Sequence, residues 1–219
     1  MRMLHKLIII AVVLAVAACA AVGASTQSKS ALGNQDVEKS ETAVCDLIAD
    51  AVRAELNTDI AFIAASEVNA KDTPFEAGEI SSSDINALVS YPDDPLAEVS
   101  ITGKALRQAL EKSVSIYPQP NLGFLQVSGL EFTFDPSKDI GERVTSVKVA
   151  GAQIIDSRTY TVGMTNSMAN GALGYWKIWS SGDVKHRHSD KSIIKAVEDY
   201  MTANKTIDYG TLDRIKVVK

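Results

Sequence analysis

The sequence contains very few of the side chains from which proteins build metal centres and disulfide frameworks. Of its 219 residues, only three are histidine and two are cysteine. Dinuclear phosphatase, zinc hydrolase and metalloprotease sites need several histidine and acidic ligands brought together, so we expect no metal site. Two cysteines, Cys19 and Cys45, are too few for a disulfide framework. We interpret Cys45, on the apolar side of a predicted helix, as a small core residue.

Catalytic motifs and a basic surface are also missing. The sequence has no H-E-x-x-H, G-x-S-x-G or Walker A pattern, the signatures of zinc proteases, serine hydrolases and phosphate-binding loops. Lysine and arginine number 22 against 27 acidic residues, which leaves a formal charge of −5. Scattered cations do not form the clustered basic face that neutralises a nucleic-acid backbone. We therefore predict no catalytic residues, no cofactor and no nucleic-acid partner.

The N-terminal residues have the layout of a secretory leader, and residues 1–24 are predicted as a signal peptide. A short positive head is followed by an apolar run over residues 7–18. Residues 16–19, Val-Ala-Ala-Cys, resemble the lipobox of bacterial lipoproteins, in which Cys19 is acylated and becomes the mature N-terminus. Residues 22–24, Val-Gly-Ala, suit ordinary signal peptidase instead, and an uncleaved membrane anchor is a third alternative. We predict an exported protein of the bacterial envelope or periplasm, anchored by lipid at Cys19.

The rest of the chain divides into a polar segment and one folded domain. Residues 25–40 are polar, serine-rich and without apolar period, so we predict a flexible tether. Residues 41–219 contain alternating helices and strands without the regular parallel repeat of a doubly wound fold. This pattern predicts a single α+β domain with a mixed β-sheet flanked by helices. Predicted helices cover about residues 41–57, 81–89, 103–117 and 193–201, and predicted strands cover residues 60–65, 96–101, 125–134, 144–149, 160–164 and 215–218.

Two local clusters near the C-terminus allow more than one interpretation. Tyr175, Trp176 and Trp179 place three aromatic rings within five residues. They suit a stacking platform for a planar ligand, but aromatic residues at this spacing more often fill a core or an interface. We interpret residues 183–188, which include His186 and His188, as a solvated loop.

Seven short motifs follow one another between residues 41 and 180. They are residues 41–53, 59–64, 78–81 with Asp84 and Ile85, 99–110, 126–130, 160–163 and 166–175. The series resembles the C-terminal domain of the 5′-nucleotidase and UDP-sugar hydrolase family. The resemblance implies a domain that recognises a nucleoside, while a separate N-terminal metallophosphoesterase domain holds two metals and carries out hydrolysis.

The positions that read the substrate in that family are mostly substituted here. Where the family carries Gly-Gly-Ile-Arg, residues 66–69 are Ser-Glu-Val-Asn, so Asn69 replaces an arginine. Of the family's two aromatic residues that stack on the base, the first corresponds to Tyr91 and the second to Ser167. A position that is acidic in the family corresponds to Leu173. The family ligand positions in this chain are Asn69, Tyr91, Asp94, Gly123, Ser167 and Leu173.

These substitutions weaken nucleotide recognition. Each aromatic ring stacked on a base contributes roughly 1–3 kcal/mol, and here only Tyr91 offers a ring. An asparagine cannot replace the charge-assisted hydrogen bonds of an arginine. Gly123 is expected to keep the shape of one pocket wall. We therefore predict that the retained residues preserve the scaffold and that the nucleotide-reading positions are degenerate.

Two functions follow from the resemblance and its departures. The first is a non-catalytic, exported binding or interaction module, which binds another small ligand or an envelope protein. The alternative is the substrate-recognition subunit of a split 5′-nucleotidase, which hydrolyses nucleotides together with a separate metallophosphoesterase. On its own, the chain is not expected to be an enzyme.

Overall fold

The computed structural model describes residues 23–179 and 187–218, with the backbone alone at residues 187 and 188. Residues 1–22 of the predicted leader, which include Cys19, and also His186 lie outside these ranges. Within the two described ranges, no helix is long and apolar enough to cross a bilayer. The strands are β1 (Ser25–Ser28), β2 (Leu32–Asn34), β3 (Ile60–Ala64), β4 (Lys71–Phe75), β5 (Gly78–Ser81), β6 (Pro95–Thr102), β7 (Leu125–Ser128), β8 (Leu130–Phe134), β9 (Val144–Val149), β10 (Ala152–Gln153), β11 (Thr159–Thr165), β12 (Arg187–Ser192), β13 (Thr206–Ile207) and β14 (Ile215–Val217). The helices are α1 (Ala43–Leu56), α2 (Ser82–Asn86), α3 (Gly103–Ser113), α4 (Asn166–Ala169) and α5 (Ile193–Ala203), with 3-10 turns at Ala65–Glu67 and Ala172–Lys177.

A five-stranded mixed sheet forms the centre of the domain. Its strand order is β12–β6–β11–β3–β7, in which β11 and β3 run parallel and the other neighbours run antiparallel. All five side chains of β3 are buried. A continuous apolar strand of this kind needs cover on both faces, and α1 packs against it. The predicted α+β domain with a mixed sheet and flanking helices is confirmed.

Helix α1 is the main helix of the core. Thr42 caps its N-terminus by accepting a hydrogen bond from the Cys45 N–H at 3.4 Å, and Asn57 ends it in the left-handed conformation at φ 51°. Its apolar side chains recur at helical spacing and pack against β3, β7 and α5. Cys45 is completely buried, which confirms its interpretation as a core residue.

Gly129 divides the predicted bent strand of residues 125–134 into two strands in different sheets. β7 closes one edge of the central sheet, whereas β8 belongs to a second sheet in the order β10–β9–β8–β14. Gly129 has a φ of 73°, and a Cβ there would lie 2.1 Å from the Asp59 carbonyl oxygen. Only glycine fits this crossing between the sheets.

Residues 25–40 are part of the folded domain, so the predicted flexible tether is wrong. β1 pairs with both β5 and β13, and β2 pairs with β4. Leu32 and Val37 are buried, but two apolar residues five positions apart form no recognisable period. Polar side chains that suggested a tether form hydrogen bonds within the fold. The Thr26 hydroxyl, for example, donates to the Asn204 carbonyl at 2.5 Å.

Most other predicted elements occur where the apolar pattern placed them. α2 begins with a capping box, in which the side chains of Ser81 and Asp84 accept hydrogen bonds from each other's backbone N–H groups. The solvated loop predicted over residues 183–188 is wrong at its end, because residues 187 and 188 belong to β12, which pairs with β6. A short polar strand at a sheet edge carries no apolar alternation by which to find it.

Candidate functional site

Four of the six predicted ligand positions line a single cavity of about 230 Å³. The cavity lies where β3 and β11, parallel neighbours in the central sheet, end side by side. The carboxyl ends of such strands are a common place for ligand sites. The 3-10 turn of residues 65–67 follows β3, and α4 follows β11. The lining residues are Ser66, Glu67, Tyr91, Asp94, Ser167, Met168, Ala172 and Leu173.

Glu67 places a buried carboxyl group in the cavity wall. Glu67 is only 4% exposed. Its two carboxylate oxygens accept hydrogen bonds from the Ala64 N–H at 2.6 Å and from the Thr165 hydroxyl at 2.5 Å. Burial raises the pKa of Glu67 to about 7, against the opposing effect of these two hydrogen bonds. Glu67 thus ties the turn after β3 to the end of β11 and is partly ionised at neutral pH.

Asp94 and Thr165 together cap the short helix α4. Asp94 Oδ2 accepts a hydrogen bond from the Ser167 N–H at 3.2 Å, and Thr165 Oγ1 accepts one from the Met168 N–H at 3.3 Å. Asp94 precedes β6, whose residue Leu96 is paired with Thr165 at the end of β11. The helix cap and the strand pairing therefore hold the Asp94 carboxylate at the cavity. Its other oxygen, Oδ1, makes no hydrogen bond within the described part of the chain.

Tyr91 and Leu173 supply the solvent-accessible apolar part of the lining. Tyr91 is 57% exposed and Leu173 is 38% exposed. Leu173 has a φ of 56° and stands in a turn between Gly171 and Gly174, which also have positive φ. At Gly171 a Cβ would lie 2.5 Å from the Cα of Trp176, so a larger residue would displace the turn that presents Leu173.

The aromatic cluster supports this wall of the cavity. The rings of Tyr175 and Trp179 are buried and stack with their centroids 4.9 Å apart. The Tyr175 hydroxyl donates to the Gly123 carbonyl at 2.7 Å, and Trp179 Nε1 donates to the Met168 carbonyl at 2.9 Å. Core packing is therefore the correct interpretation of this pair, whereas Trp176 is 62% exposed.

Gly123 and Asn69 stand apart from the four predicted positions that line the cavity. A Cβ on Gly123 would lie 3.7 Å from the Leu173 Cβ, so Gly123 supports the wall without lining the cavity. Asn69 is exposed, and its side-chain oxygen accepts a hydrogen bond from the Ser90 hydroxyl at 3.3 Å. Its carbonyl accepts one from Asn34 Nδ2 at 2.7 Å. These bonds commit Asn69 to the surrounding loops.

Sequence reasoning missed four lining residues, Ser66, Glu67, Met168 and Ala172. Glu67 carried a signal, because it is an acidic residue within three positions of the end of a wholly apolar strand. The cavity is also acidic, which the prediction did not state. Among the residues that the structure describes, no lysine, arginine or histidine lines it.

A second concavity and the acidic side chains elsewhere in the described chain are weaker candidates for a ligand or metal site. A larger concavity of about 480 Å³ lies over residues 35–39, but Gln35 and Asp36 there are exposed loop side chains and none of the predicted positions lines it. Across residues 23–179 and 187–218, no three histidine, cysteine, aspartate or glutamate residues are grouped so as to hold a metal ion. The described residues therefore do not fit the two-metal centre that the resemblance assigns to a separate domain.

Comparison with known proteins identifies the family. The profile of the family described as 5′-nucleotidase, C-terminal domain, matches residues 21–179. The chain belongs to this family. The profile begins before β1, in agreement with the folded position of residues 25–40. It ends at Trp179, the last residue before the gap in the described chain.

Relatives of this 5′-nucleotidase C-terminal domain are much longer proteins. A snake venom 5′-nucleotidase from Naja atra is 32% identical over 111 residues, which are 47% of this chain and 21% of that protein. The 5′-nucleotidase of Homo sapiens is 30% identical over 126 residues, which are 54% of this chain and 22% of that protein. The chain thus spans about a fifth of the length of the curated relatives it matches.

Solved structures share its fold. The 5′-nucleotidase precursor from Thermus thermophilus has a TM-score of 0.79 at 24% identity and covers 90% of this chain. The NAD nucleotidase of Haemophilus influenzae has a TM-score of 0.74 at 16% identity and covers 89%. This chain accounts for 40% and 38% of those two structures, respectively.

Proposed function

We propose that this 5′-nucleotidase C-terminal domain is a non-catalytic binding module of the bacterial envelope, whose ligand occupies the cavity beside Tyr91 and Leu173. The observation that carries the proposal is the lining of this cavity. The cavity keeps the place at the strand ends where four family ligand positions converge. Its polar side-chain groups, however, are two carboxylates and three hydroxyls. Asn69, at the family's arginine position, forms its hydrogen bonds with other loops.

The chemistry of this lining disfavours an ordinary nucleotide. A phosphate is held in proteins by arginine, lysine or backbone N–H groups, and the described lining offers no cationic side chain. Ser167 has no ring to stack on a base, so the stacking contribution falls to Tyr91. A different small ligand, or a segment of another envelope protein, is the better match.

Thermal unfolding of the purified protein against nucleosides, nucleotides and UDP-sugars tests this proposal. A ligand at about a hundred times its dissociation constant stabilises the fold by about 2.7 kcal/mol, which raises Tm by roughly 5–10 °C in a domain of this size. Tyr91→Ala should abolish a shift that arises in the cavity without lowering Tm, because Tyr91 is exposed. Release of phosphate from AMP by the purified protein with manganese, at enzyme-like rates, would refute the non-catalytic role.

A second candidate function is the substrate-recognition subunit of a split 5′-nucleotidase. Exposed apolar side chains in and next to the segments that line the cavity favour it, since Tyr91, Leu122 and Trp176 are each more than half exposed. Trp176 lies in the same 3-10 turn as Leu173. Leu122 adjoins the cavity because its carbonyl accepts a hydrogen bond from the Ser66 N–H at 3.0 Å. Clustered exposed apolar residues commonly mark an interaction site, and the long relatives leave room for a metallophosphoesterase domain.

Co-expression with a metallophosphoesterase from the same genome tests this second function. A split enzyme predicts a complex that hydrolyses nucleotides only when both chains are present, and weaker association for Trp176→Ser. Lys138→Ser, an exposed change in a different loop, is the matched control. Absence of both complex and activity would exclude this function for the pair tested.

Export with a lipid anchor at Cys19 is also part of the proposal. The leader pattern of the sequence is its basis, and two contacts favour cleavage before Cys19 over cleavage after Ala24. The Ala24 carbonyl accepts a hydrogen bond from the Ser82 N–H at 2.6 Å, and Gly23 lies close to the hydroxyls of Ser82 and Ser83. Cleavage before Cys19 leaves Gly23 and Ala24 in the mature protein, where they can make these contacts. Cleavage after Ala24 would remove both residues.

Fatty-acid labelling in a bacterial host tests the anchor. The wild-type protein should incorporate labelled palmitate and fractionate with membranes, while Cys19→Ser should remain unlabelled. A mature N-terminus at Ser25 in both proteins would exclude the lipid anchor. The five residues between Cys19 and β1 reach at most about 18 Å when extended, so an anchored domain lies close to the membrane surface.

A further inference from the structure

Among the described residues, the charged side chains that line the cavity are both acidic. Glu67 and Asp94 line it, and no described lysine, arginine or histidine does so. Two lysines of neighbouring segments lie over aromatic rings instead, with Lys112 Nζ and Lys177 Nζ at 5.2 and 5.4 Å from the ring centroids. An anionic group that enters the cavity therefore meets carboxylates, whereas a cation is attracted to them.

The two carboxyl groups retain capacity for a ligand. Asp94 Oδ2 holds the Ser167 N–H, which leaves Oδ1 without a described partner. Each oxygen of Glu67 accepts one hydrogen bond, and a carboxylate oxygen has two lone pairs. Positive N–H groups of a ligand can therefore bond the Asp94 carboxylate directly and interact with the buried charge of Glu67.

The size and the apolar lining indicate a single ring system. The cavity volume of about 230 Å³ lies below the range of about 300–1,000 Å³ for drug-sized ligands. The exposed ring of Tyr91 offers a flat surface for stacking, and its π-face attracts cations. Leu173 and Met168 add apolar contact.

We propose that the cavity selects an organic cation, namely a flat ring system with a positive charge that packs on Tyr91 and Leu173 and directs its positive edge to Asp94 and Glu67. This inference rests on the proposed function, because it names the class of ligand for the same cavity. It adds that the sign of the ligand's charge, rather than the presence of a nucleotide, decides which ligand the cavity binds.

Three compounds that share one scaffold and differ in charge provide the test. In neutral buffer, where the Glu67 carboxyl is partly ionised, 1-methyladenosine is positive, adenosine is neutral and AMP is negative. Calorimetric titration of the purified full-length protein gives each affinity. We expect 1-methyladenosine to bind about ten-fold more tightly than adenosine, and AMP about ten-fold more weakly. Equal or tighter binding of AMP would overturn the inference.

Two neighbouring variants separate the cavity charge from the general acidity of the protein. Asp94→Asn keeps an oxygen to accept the Ser167 N–H but removes the charge, so the preference for 1-methyladenosine over AMP should fall by about ten-fold. Asp93→Asn is the matched control, because Asp93 is exposed and does not line the cavity, and it should leave the preference unchanged. An equal effect of both variants would refute a role for the cavity.

The outcomes distinguish this inference from the proposed function. If the compounds bind but show no charge preference, the cavity is a ligand site and only the inference fails. If no compound binds to a protein that unfolds cooperatively, the inference fails, while the proposed binding of a different ligand or of an envelope protein stands. If all binding persists in Tyr91→Ala, the ligand occupies another site and both fail.

Discussion

A carboxyl group as deeply buried as that of Glu67 costs free energy whenever it is ionised. Burial raises its pKa from an ordinary value of 4.5 to about 7, so the folded protein holds this proton more tightly than the unfolded chain does. Below about pH 4.5 Glu67 is protonated in both the folded and the unfolded state, and the contribution of its raised pKa to the free energy of unfolding is fully present. It is lost as pH rises through about 7, because ionisation is then forced on the folded state.

Glu67→Gln should remove this loss of stability. Glutamine can accept the Ala64 N–H with Oε1 and donate from Nε2 to the Thr165 hydroxyl, so both contacts survive. The difference between pKa values of about 7 and 4.5 corresponds to about 3 kcal/mol. Urea unfolding at several pH values should show the variant gaining about 2–3 kcal/mol on the wild type between about pH 4.5 and 8.

The exposed Glu76 provides the control for this prediction. Glu76→Gln removes the same charge from the surface, so its free energy of unfolding should follow that of the wild type across the pH range. A constant difference between Glu67→Gln and the wild type at every pH would contradict the assigned pKa.

At the scale of elements, one arginine joins the C-terminal strand β14 to helix α1. Arg214 donates to the two Asp50 carboxylate oxygens at 2.9 and 3.0 Å and to the Val127 carbonyl at 2.9 Å. The Glu41 carboxylate accepts hydrogen bonds from the N–H groups of Arg214 and Ile215 at 3.2 and 2.7 Å. This network fixes the segment before β14 against the core.

Arg214→Met should destabilise the fold by about 3–5 kcal/mol, because it leaves the Asp50 carboxylate without its cation. The double variant Arg214→Met with Asp50→Asn should recover part of that loss. Denaturant midpoints of the two single variants, Arg214→Met and Asp50→Asn, and of the double variant complete the cycle. Lys216→Met is the control from the same strand, since its ion pair with Glu131 is exposed and should contribute less than about 1 kcal/mol. Equal losses for Arg214→Met and Lys216→Met would contradict the structural role of the network.

The elements that could be predicted from the sequence are those with strong apolar periodicity. α1, α3 and α5 have one apolar face, and β3 is an unbroken apolar run. β1 and β2 could not be found in this way, because their buried positions are largely serine, threonine and asparagine held by long-range hydrogen bonds. Glu67 was missed as a site residue for a similar reason, since its buried carboxylate accepts a hydrogen bond from Thr165, which is distant in sequence.

At the scale of the whole molecule, the N-terminal residues complete the core. Gln126 in β7 is fully buried, and its Nε2 donates to the carbonyls of Val37 and Ser40 at 2.9 and 2.7 Å. Its Oε1 accepts the Thr42 N–H at 3.2 Å. A glutamine that bonds three backbone groups in this way binds the segment before α1 to the central sheet.

A chain that starts at Glu41 should therefore fail to fold cooperatively, whereas a chain that starts at Gly23 should fold. The shorter chain loses the burial of Leu32 and Val37, worth about 1.5–3 kcal/mol each. It also removes β1 from between β5 and β13. A total stability of about 5–15 kcal/mol leaves little after such losses. Circular dichroism during heating distinguishes a cooperative transition from a gradual one.

Substitutions in the full-length protein test the same claim without truncation. Leu32→Ala should cost about 2–5 kcal/mol as a core deletion, while Leu212→Ala, at a residue that is 48% exposed, should cost far less. If the chain from Glu41 unfolds at the temperature of the longer chain and Leu32→Ala is silent, residues 25–40 are a tether after all. The opposite result shows that the folded domain begins before Leu32, and any membrane anchor at Cys19 then acts on the domain through a short link.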